Sequence, residues 1–234
     1  MSTSYSPQTV TSGLVFTIDS TNRKSYFSGS SNWNDLSGNN YNGTFPNGIG
    51  FNTSNGGNLT FNGTNQYVNC GSSLSQSANF SISCWTKRNG IQPSAGGVIC
   101  GQSGATPGYG QNYLLSISAS ASPVALFSQS SDSYKNVKSN TVILDDTWYY
   151  IVGTYDTVAN VMRLYINGGL ENSTSLTADP PTTGSQLFLV GASDGSSPGN
   201  WFKGSVSDVR VYNKTLSLSE IQQNFNATKK KFGL

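Results

Sequence analysis

Short runs of alternating apolar and polar residues recur along the chain, separated by clusters of Gly, Asn, Ser and Pro. A period of two marks half-buried strands, and the clusters between them supply turns. The pattern predicts a first strand over Leu14–Ile18. Asn58–Phe61 and Gln66–Asn69 flank a tight-turn sequence, Asn62-Gly63-Thr64-Asn65. Phe80–Lys87 places Phe80, Ile82, Cys84 and Thr86 on one face and Ser81, Ser83, Trp85 and Lys87 on the other. Tyr113–Ser118 and Val124–Phe127 read as a pair. Trp148–Tyr155 is followed by Val161–Ile166 and then Asn167-Gly168-Gly169. Asn-Gly supplies the positive φ of a type I′ hairpin, so a further strand is predicted to begin near Leu170. Leu187–Val190 and Val206–Tyr212 complete the series.

Only one helix is well signalled. Ser217-x-x-Glu220 has capping-box spacing, and Ile221 and Phe225 lie four apart on one face. One short helix after many strands predicts an end-plug on an all-β sandwich, in which sheet packs on sheet. No linker or composition break divides the chain. We read an N-terminal arm over residues 1–12 and one domain over 13–234 that includes the helix and the tail.

Composition narrows the function classes. Charged residues are 10% of 234, while Ser (38), Gly (26) and Asn (25) are abundant. Weak repulsion and 12% aromatics favour collapse over disorder. The net charge of +2 is too small and scattered for an electrostatic nucleic-acid binder. The one basic run, Lys229–Lys231, reads as a solvated tail. Histidine is absent, which excludes His-based triads, His metal ligands and imidazole switches. No apolar run is long enough for membrane insertion. Met1–Ser12 lacks the order of a signal peptide, which predicts a protein that stays in its cell, leaves by lysis or leaves within a particle. Cys70, Cys84 and Cys100 fit no zinc spacing and read as free buried thiols, with a disulfide as the alternative.

Several segments, in this order, resemble the laminin-G-like / concanavalin A-like lectin-glucanase superfamily. They are Gly13–Asp19 with Asn22–Tyr26, Trp33–Thr44, Leu59–Val68, Trp148–Asp156 with Arg163–Gly168, and Gly204–Ser217. The resemblance implies two antiparallel sheets in a jelly-roll. The opening with Trp33-Asn34-Asp35-Leu36-Ser37-Gly38-Asn39, and the ending Ile221–Ala227 with Phe232-Gly233-Leu234, are similar to structural proteins of tailed phages. That similarity implies a virion protein, a capsid decoration or a tail or fibre component, made in the host cytoplasm. Its partners would be other virion proteins, with a homo-oligomer as a further possibility. Met1–Ser12 and Lys229–Leu234 would be its docking pieces.

Glycoside hydrolysis needs two carboxyl groups flanking the bond. The superfamily's glucanases carry Glu-x-Asp-x-(x)-Glu on one strand, and this chain has only Glu171 and Glu220. Glu220 fits a helix cap and Glu171 a solvated strand. Asp145-Asp146, Asp156, Asp179 and Asp194 look like turn residues. We therefore expect no enzyme.

A structural calcium ion would need six to eight oxygens. Asp35–Asn40 offers several in a Gly-bearing loop. By resemblance to related modules, Asp19 or Asp35 would meet Asp208 at one metal, with Asn39 beside them. Asp208 interrupts an apolar strand, so it requires either a cation or donors: a nearby Arg, or turn N–H groups. Glycan binding, common in the superfamily, would use exposed rings beside amides. Trp201 with Asn200, and Tyr109 with Asn112, are the candidates, and edge packing is the alternative for each. Trp33, Trp85 and Trp148 have core contexts. The reading is a virion structural protein with a glycan-binding role; the alternative is a free or cell-surface lectin-like adhesin, with a glycan-degrading enzyme as a more remote one.

Overall fold

The computed structural model describes residues 8–93, 96–103, 113–119, 124–129, 134–176, 184–194 and 198–234. The strands are β1 (Leu14–Asp19), β2 (Asn32–Trp33), β3 (Gly43–Thr44), β4 (Gly50–Asn52), β5 (Asn58–Asn62), β6 (Val68–Asn69), β7 (Phe80–Arg88) and β8 (Gly96–Gln102). They continue with β9 (Tyr113–Ser118), β10 (Val124–Gln129), β11 (Tyr134–Lys138), β12 (Trp148–Asp156), β13 (Val161–Ile166), β14 (Gly169–Ser175), β15 (Phe188–Val190) and β16 (Lys203–Tyr212). Helix α1 (Leu218–Thr228) runs into a 3-10 turn over Lys229–Phe232.

The strands form two antiparallel sheets. The first runs β14-β13-β12-β7-β16-β5-β4, with β1 also on β16; the second runs β11-β10-β9-β8-β15-β6-β3-β2. Antiparallel sheets with non-consecutive neighbours packed face to face make a jelly-roll sandwich, as the sequence predicts. The turn chemistry also holds. Asn167 (φ 51°) and Gly168 (φ 81°) form the two-residue turn between β13 and β14. Ser217 and Glu220 cap α1 reciprocally.

Phe16, Ile82, Cys84, Ile151, Val206, Val209 and Val211 of the first sheet meet Ile99, Leu115, Leu126 and Phe188 of the second in one inter-sheet core. All three cysteines are free and buried. Trp33, Trp85 and Trp148 are buried, as expected. Trp85, however, lies on the outer face of the first sheet. A second apolar cluster forms there from Trp85, Trp148, Tyr150, Tyr212, Ile221 and Phe232, with Phe225 packed against it.

The C-terminal segment covers that face and is not a solvated tail. Phe232 stacks on Trp85 with ring centroids 4.1 Å apart and meets Trp148 at 4.8 Å. The Trp85 indole N–H donates to Thr228 Oγ1 at 2.8 Å. The described end of the N-terminal arm is tied down beside it. Val10 N–H donates to Asn224 Oδ1 (2.7 Å), and the Tyr212 hydroxyl donates to Val10 O (3.2 Å). The apolar rings on this face require a cover, and the chain's own ends supply it.

Phe232→Ala is expected to cost about 3 kcal/mol in denaturant unfolding, the usual range for losing a buried ring. A loss below 0.5 kcal/mol would mean that the segment does not hold the outer face.

Candidate functional site

The predicted acidic residues fall into two groups. Asp35 lies in the loop between β2 and β3, against β1. Its Oδ1 accepts from Thr17 N (3.0 Å) and Ser37 N (2.9 Å); its Oδ2 accepts from Ser37 Oγ (2.7 Å) and Tyr41 N (3.2 Å). Asn39 Nδ2 donates to Val15 O at 2.8 Å, which ties the same loop to β1. The Asp35 carboxylate thus accepts from β1 and from its own loop.

Asp19 and Asp208 are direct partners across the β1–β16 ladder. A bulge at Ser207 shifts the register of β16 between Val206 and Asp208. An extra residue reverses which face the following side chains take. Val206, Val209 and Val211 thus all enter the core, while Asp208 and Arg210 share the outer face. Arg210 Nη2 donates to Asp208 Oδ2 at 2.7 Å, and both side chains are about 5% exposed (6% and 4%). Lys231 Nζ stands 3.7 Å from Asp19 Oδ2 and also bonds the Thr21 hydroxyl. Two carboxylates therefore face two cations of the chain itself.

These residues do not fit calcium. The oxygens of Asp35 point at hydrogen-bond donors, and Asp19 and Asp208 are already neutralised by Lys231 and Arg210. Among the described residues, no three His, Cys, Asp or Glu side chains gather at one point. Adding calcium or chelator is expected to leave the melting temperature unchanged. A calcium-dependent rise abolished by Asp35→Asn would contradict this geometry.

Burial pushes the Asp208 carboxyl up to about 6, against the pull of Arg210 and with a further push from Asp19. Its folded pKa thus exceeds the ordinary Asp value of about 3.9. Between those two values the folded state holds the proton more tightly than the unfolded state. The contribution to stability therefore falls as pH rises through about 4 to 6 and stays lower above that window. Asp208→Asn should gain stability relative to the parent by about 2–3 kcal/mol between pH 4 and pH 7, measured by urea unfolding. A difference constant across those two pH values would refute the raised pKa.

The predicted ring site is half visible. Tyr109 and Asn112 lie outside the described residues. Trp201 lies between β15 and β16, half-buried, with its ring 5.9 Å from Tyr67 at an interplanar angle of 45°. Tyr67 is half-exposed as well. Asn200 (φ 45°) is spent on holding the loop. Its carbonyl accepts from Val98 N (2.8 Å) and its Nδ2 donates to Ser193 Oγ (3.0 Å). Gly97 allows the close approach, because a Cβ there would lie 2.9 Å from Phe202 Cα and 3.1 Å from Trp201 O.

The loop before Tyr67 is equally fixed. Asn62 Oδ1 accepts from the N–H groups of Thr64 (2.9 Å), Asn65 (3.2 Å) and Gln66 (3.3 Å). Gln92, buried nearby, brackets Lys203 by accepting from its N–H (2.8 Å) and donating to its carbonyl (2.9 Å). Sequence reasoning missed Tyr67 as a site residue. Its signal was there: it follows a tight turn and precedes buried Val68, so alternation turns it outward. The result is a pair of partly exposed rings on loops pinned by backbone hydrogen bonds, a surface suited to an apolar ligand face with polar edges.

Solved structures share this architecture. The binding domain of Paraclostridial Mosquitocidal Protein 1 superposes with a TM-score of 0.71 at 16% identity, covering 92% of this chain and 52% of that one. Domain 4 of AbnA, a GH43 extracellular arabinanase from Geobacillus stearothermophilus, in complex with arabinotriose, gives 0.68 at 20% identity, covering 90% and 97%. The botulinum neurotoxin serotype D ligand binding domain in complex with N-acetylneuraminic acid gives 0.66 at 17%, covering 92% and 51%. This chain spans about half the length of the toxin domains. At these identities the likeness is one of fold. No curated protein sequence matches. Residues 61–222 match the model of the Laminin_G_3 family, and the chain accordingly belongs to this family of the concanavalin A-like lectin/glucanase superfamily.

Proposed function

We propose that the chain is a non-catalytic, lectin-like carbohydrate-binding module that holds its glycan on the Tyr67–Trp201 pair. The observation that carries this reading is the pair itself: two half-exposed rings, flanked by Asn62 and Asn200, whose side chains hold the adjoining turns. Sugars present a C–H face that packs on rings and a hydroxyl rim that bonds amides and hydroxyls. Rigid loops lower the ordering cost of binding. The solved binding domains of this fold, one holding arabinotriose and one N-acetylneuraminic acid, support the reading by analogy.

The carboxylates support the non-catalytic part. Glu171 accepts from Asn140 N, Thr141 N and the Thr141 hydroxyl. Glu220 caps α1 and pairs with Lys214 at 2.5 Å. Asp145 accepts from Arg88 Nε (2.6 Å) and Gly90 N (2.9 Å). Each is engaged in holding local structure, and the cross-strand carboxylates Asp19 and Asp208 are taken up by Lys231 and Arg210.

The opening and ending segments that resemble tailed-phage structural proteins favour a virion as the place where this module works, as a capsid decoration or tail component. In that setting Phe232, in the ending motif, serves the fold, so docking falls to other surfaces. The chain should then appear in gradient-purified particles of the phage that encodes it; its absence from them favours a free or cell-surface adhesin.

On a glycan array that includes neutral and sialylated structures, saturable binding is expected. Trp201→Ala and Tyr67→Ala should each weaken it about tenfold or more with an unchanged melting temperature. Binding insensitive to both substitutions would sink the site. Release of reducing ends from a bound polysaccharide would sink the non-catalytic reading.

A further inference from the structure

The strand order of the second sheet aligns more than one ring. β15, β6, β3 and β2 are successive neighbours. Their antiparallel register brings four chain segments to one end of the sandwich. β15 leaves that end towards residues 191–202, and β6 enters after the Asn62–Gln66 turn. β3 leaves through 45–49, and β2 enters from 27–31. Phe202 N–H donates to Gly191 O at 2.9 Å, which brings Trp201 back beside the end of β15. Trp201, Tyr67, Phe45 and Ser31 thus follow one another in strand order. Three strand spacings span about 14 Å.

The far end of this row is a cleft of about 410 Å³, within the range of small-ligand sites. It lies where the edge strand β4 of the first sheet meets the β2–β3 edge of the second. Tyr26, Phe45 and Phe51 form its aromatic wall, with Tyr26 centred 5.9 Å from Phe45 and 5.0 Å from Phe51. Ser28, Ser30 and Ser31 supply the polar wall. The cleft and the Tyr67 loop are tied together, since Asn47 Nδ2 donates to Asn65 O at 2.8 Å.

The lining decides the ligand class. None of the residues lining the cleft is charged, while at the ring-pair end the exposed Lys203 side chain lies against Gly63 of the turn before Tyr67. Hydroxyls and amides both donate and accept, as sugar hydroxyls do. A carboxylate or phosphate entering the cleft would be desolvated without a matching cation in its lining. A row of this length exceeds one sugar.

We propose that this end of the sandwich is a groove for a linear, uncharged oligosaccharide of at least three sugars. One end of the ligand rests on Tyr67–Trp201, and the other enters the Tyr26–Phe45–Phe51 cleft. The proposal rests on the glycan-binding reading above and adds to it a ligand class and a second subsite.

The test is calorimetric titration with cello-, malto-, xylo- and arabino-oligosaccharides of one to six units. In the series that binds, affinity should rise at least tenfold from one unit to three and then level off. Ser28 is exposed, so Ser28→Trp fills the cleft without disturbing the core. It should reduce trisaccharide affinity to that of the shorter ligands and leave theirs unchanged. Phe45→Ala, checked for an unchanged melting temperature, should do the same. Trp201→Ala should weaken every length. Affinity independent of length but sensitive to Trp201→Ala would overturn the groove and leave the ring-pair site standing. Affinity that rises with length but is insensitive to Trp201→Ala would overturn the ring-pair site and the groove with it. Binding to none of the series, or only to acidic glycans on the array, would overturn the uncharged-oligosaccharide assignment.

Discussion

Strand β16 is the member on which both faces of the first sheet depend. One of its edges pairs with β7 along nearly its whole length, while the other pairs first with β5 and then with β1. Ser207 sits at the changeover. Its carbonyl accepts from Ser20 N and Ser20 Oγ, each at 2.8 Å, and its hydroxyl donates to Gly57 O at 3.0 Å. The bulge there lets β16 place three valines in the inter-sheet core while presenting Asp208, Arg210 and Tyr212 outward. An ion pair buried on a sheet face then needs a cover, and so do Trp85 and Tyr150 beside it. The helix, the 3-10 turn and residues 8–12 answer that single requirement. Residues 8–12 and the segment from α1 to Phe232 are consequently part of the fold's stability.

The opposite need governs the end that carries Tyr67 and Trp201. There the loops are held by their own side chains: Asn62 within its turn, Gln92 on Lys203, Asn200 on Ser193, Asn47 on Asn65. Each of these amides fixes its loop by bonding a backbone or hydroxyl group of that loop or of its neighbour. Loops fixed in this way do not need their rings for the core, so Tyr67 and Trp201 can remain half-exposed. The high Asn and Ser content, which at first only describes polarity, thereby acquires a structural role.

Much of this was legible in the chain because it depends on local chemistry. A positive-φ Asn-Gly pair, a capping box and period-two alternation act over a few residues, and each stands where the sequence puts it. Asp208 was legible as an anomaly, and its partner could have been read too. Arg210 lies two residues on, and strand residues i and i+2 share a face. What stayed hidden depends on contacts distant in sequence. Lys229–Lys231 reads as a solvated tail until Trp85 and Trp148, both far upstream, are seen to need Phe232. Asp35 looks like a metal ligand until Thr17 and Tyr41 are seen to aim their N–H groups at it. The Tyr26–Phe45–Phe51 cleft belongs to two loops and the edge strand β4, and no single segment carries its signature.

The absence of charge links the two ends of the molecule. A chain with one charged residue in ten can keep its few ions for the fold. Arg210 neutralises Asp208, Lys231 stands by Asp19, Arg88 holds Asp145 and Lys214 holds Glu220. The Tyr26–Phe45–Phe51 cleft is then lined without any charged side chain. Such a surface draws little from long-range attraction, so its affinity has to come from contact area and from groups already in place. Contact area on a narrow sandwich end grows only along the row of strands, so under the proposed reading a longer ligand gains affinity only by following that row.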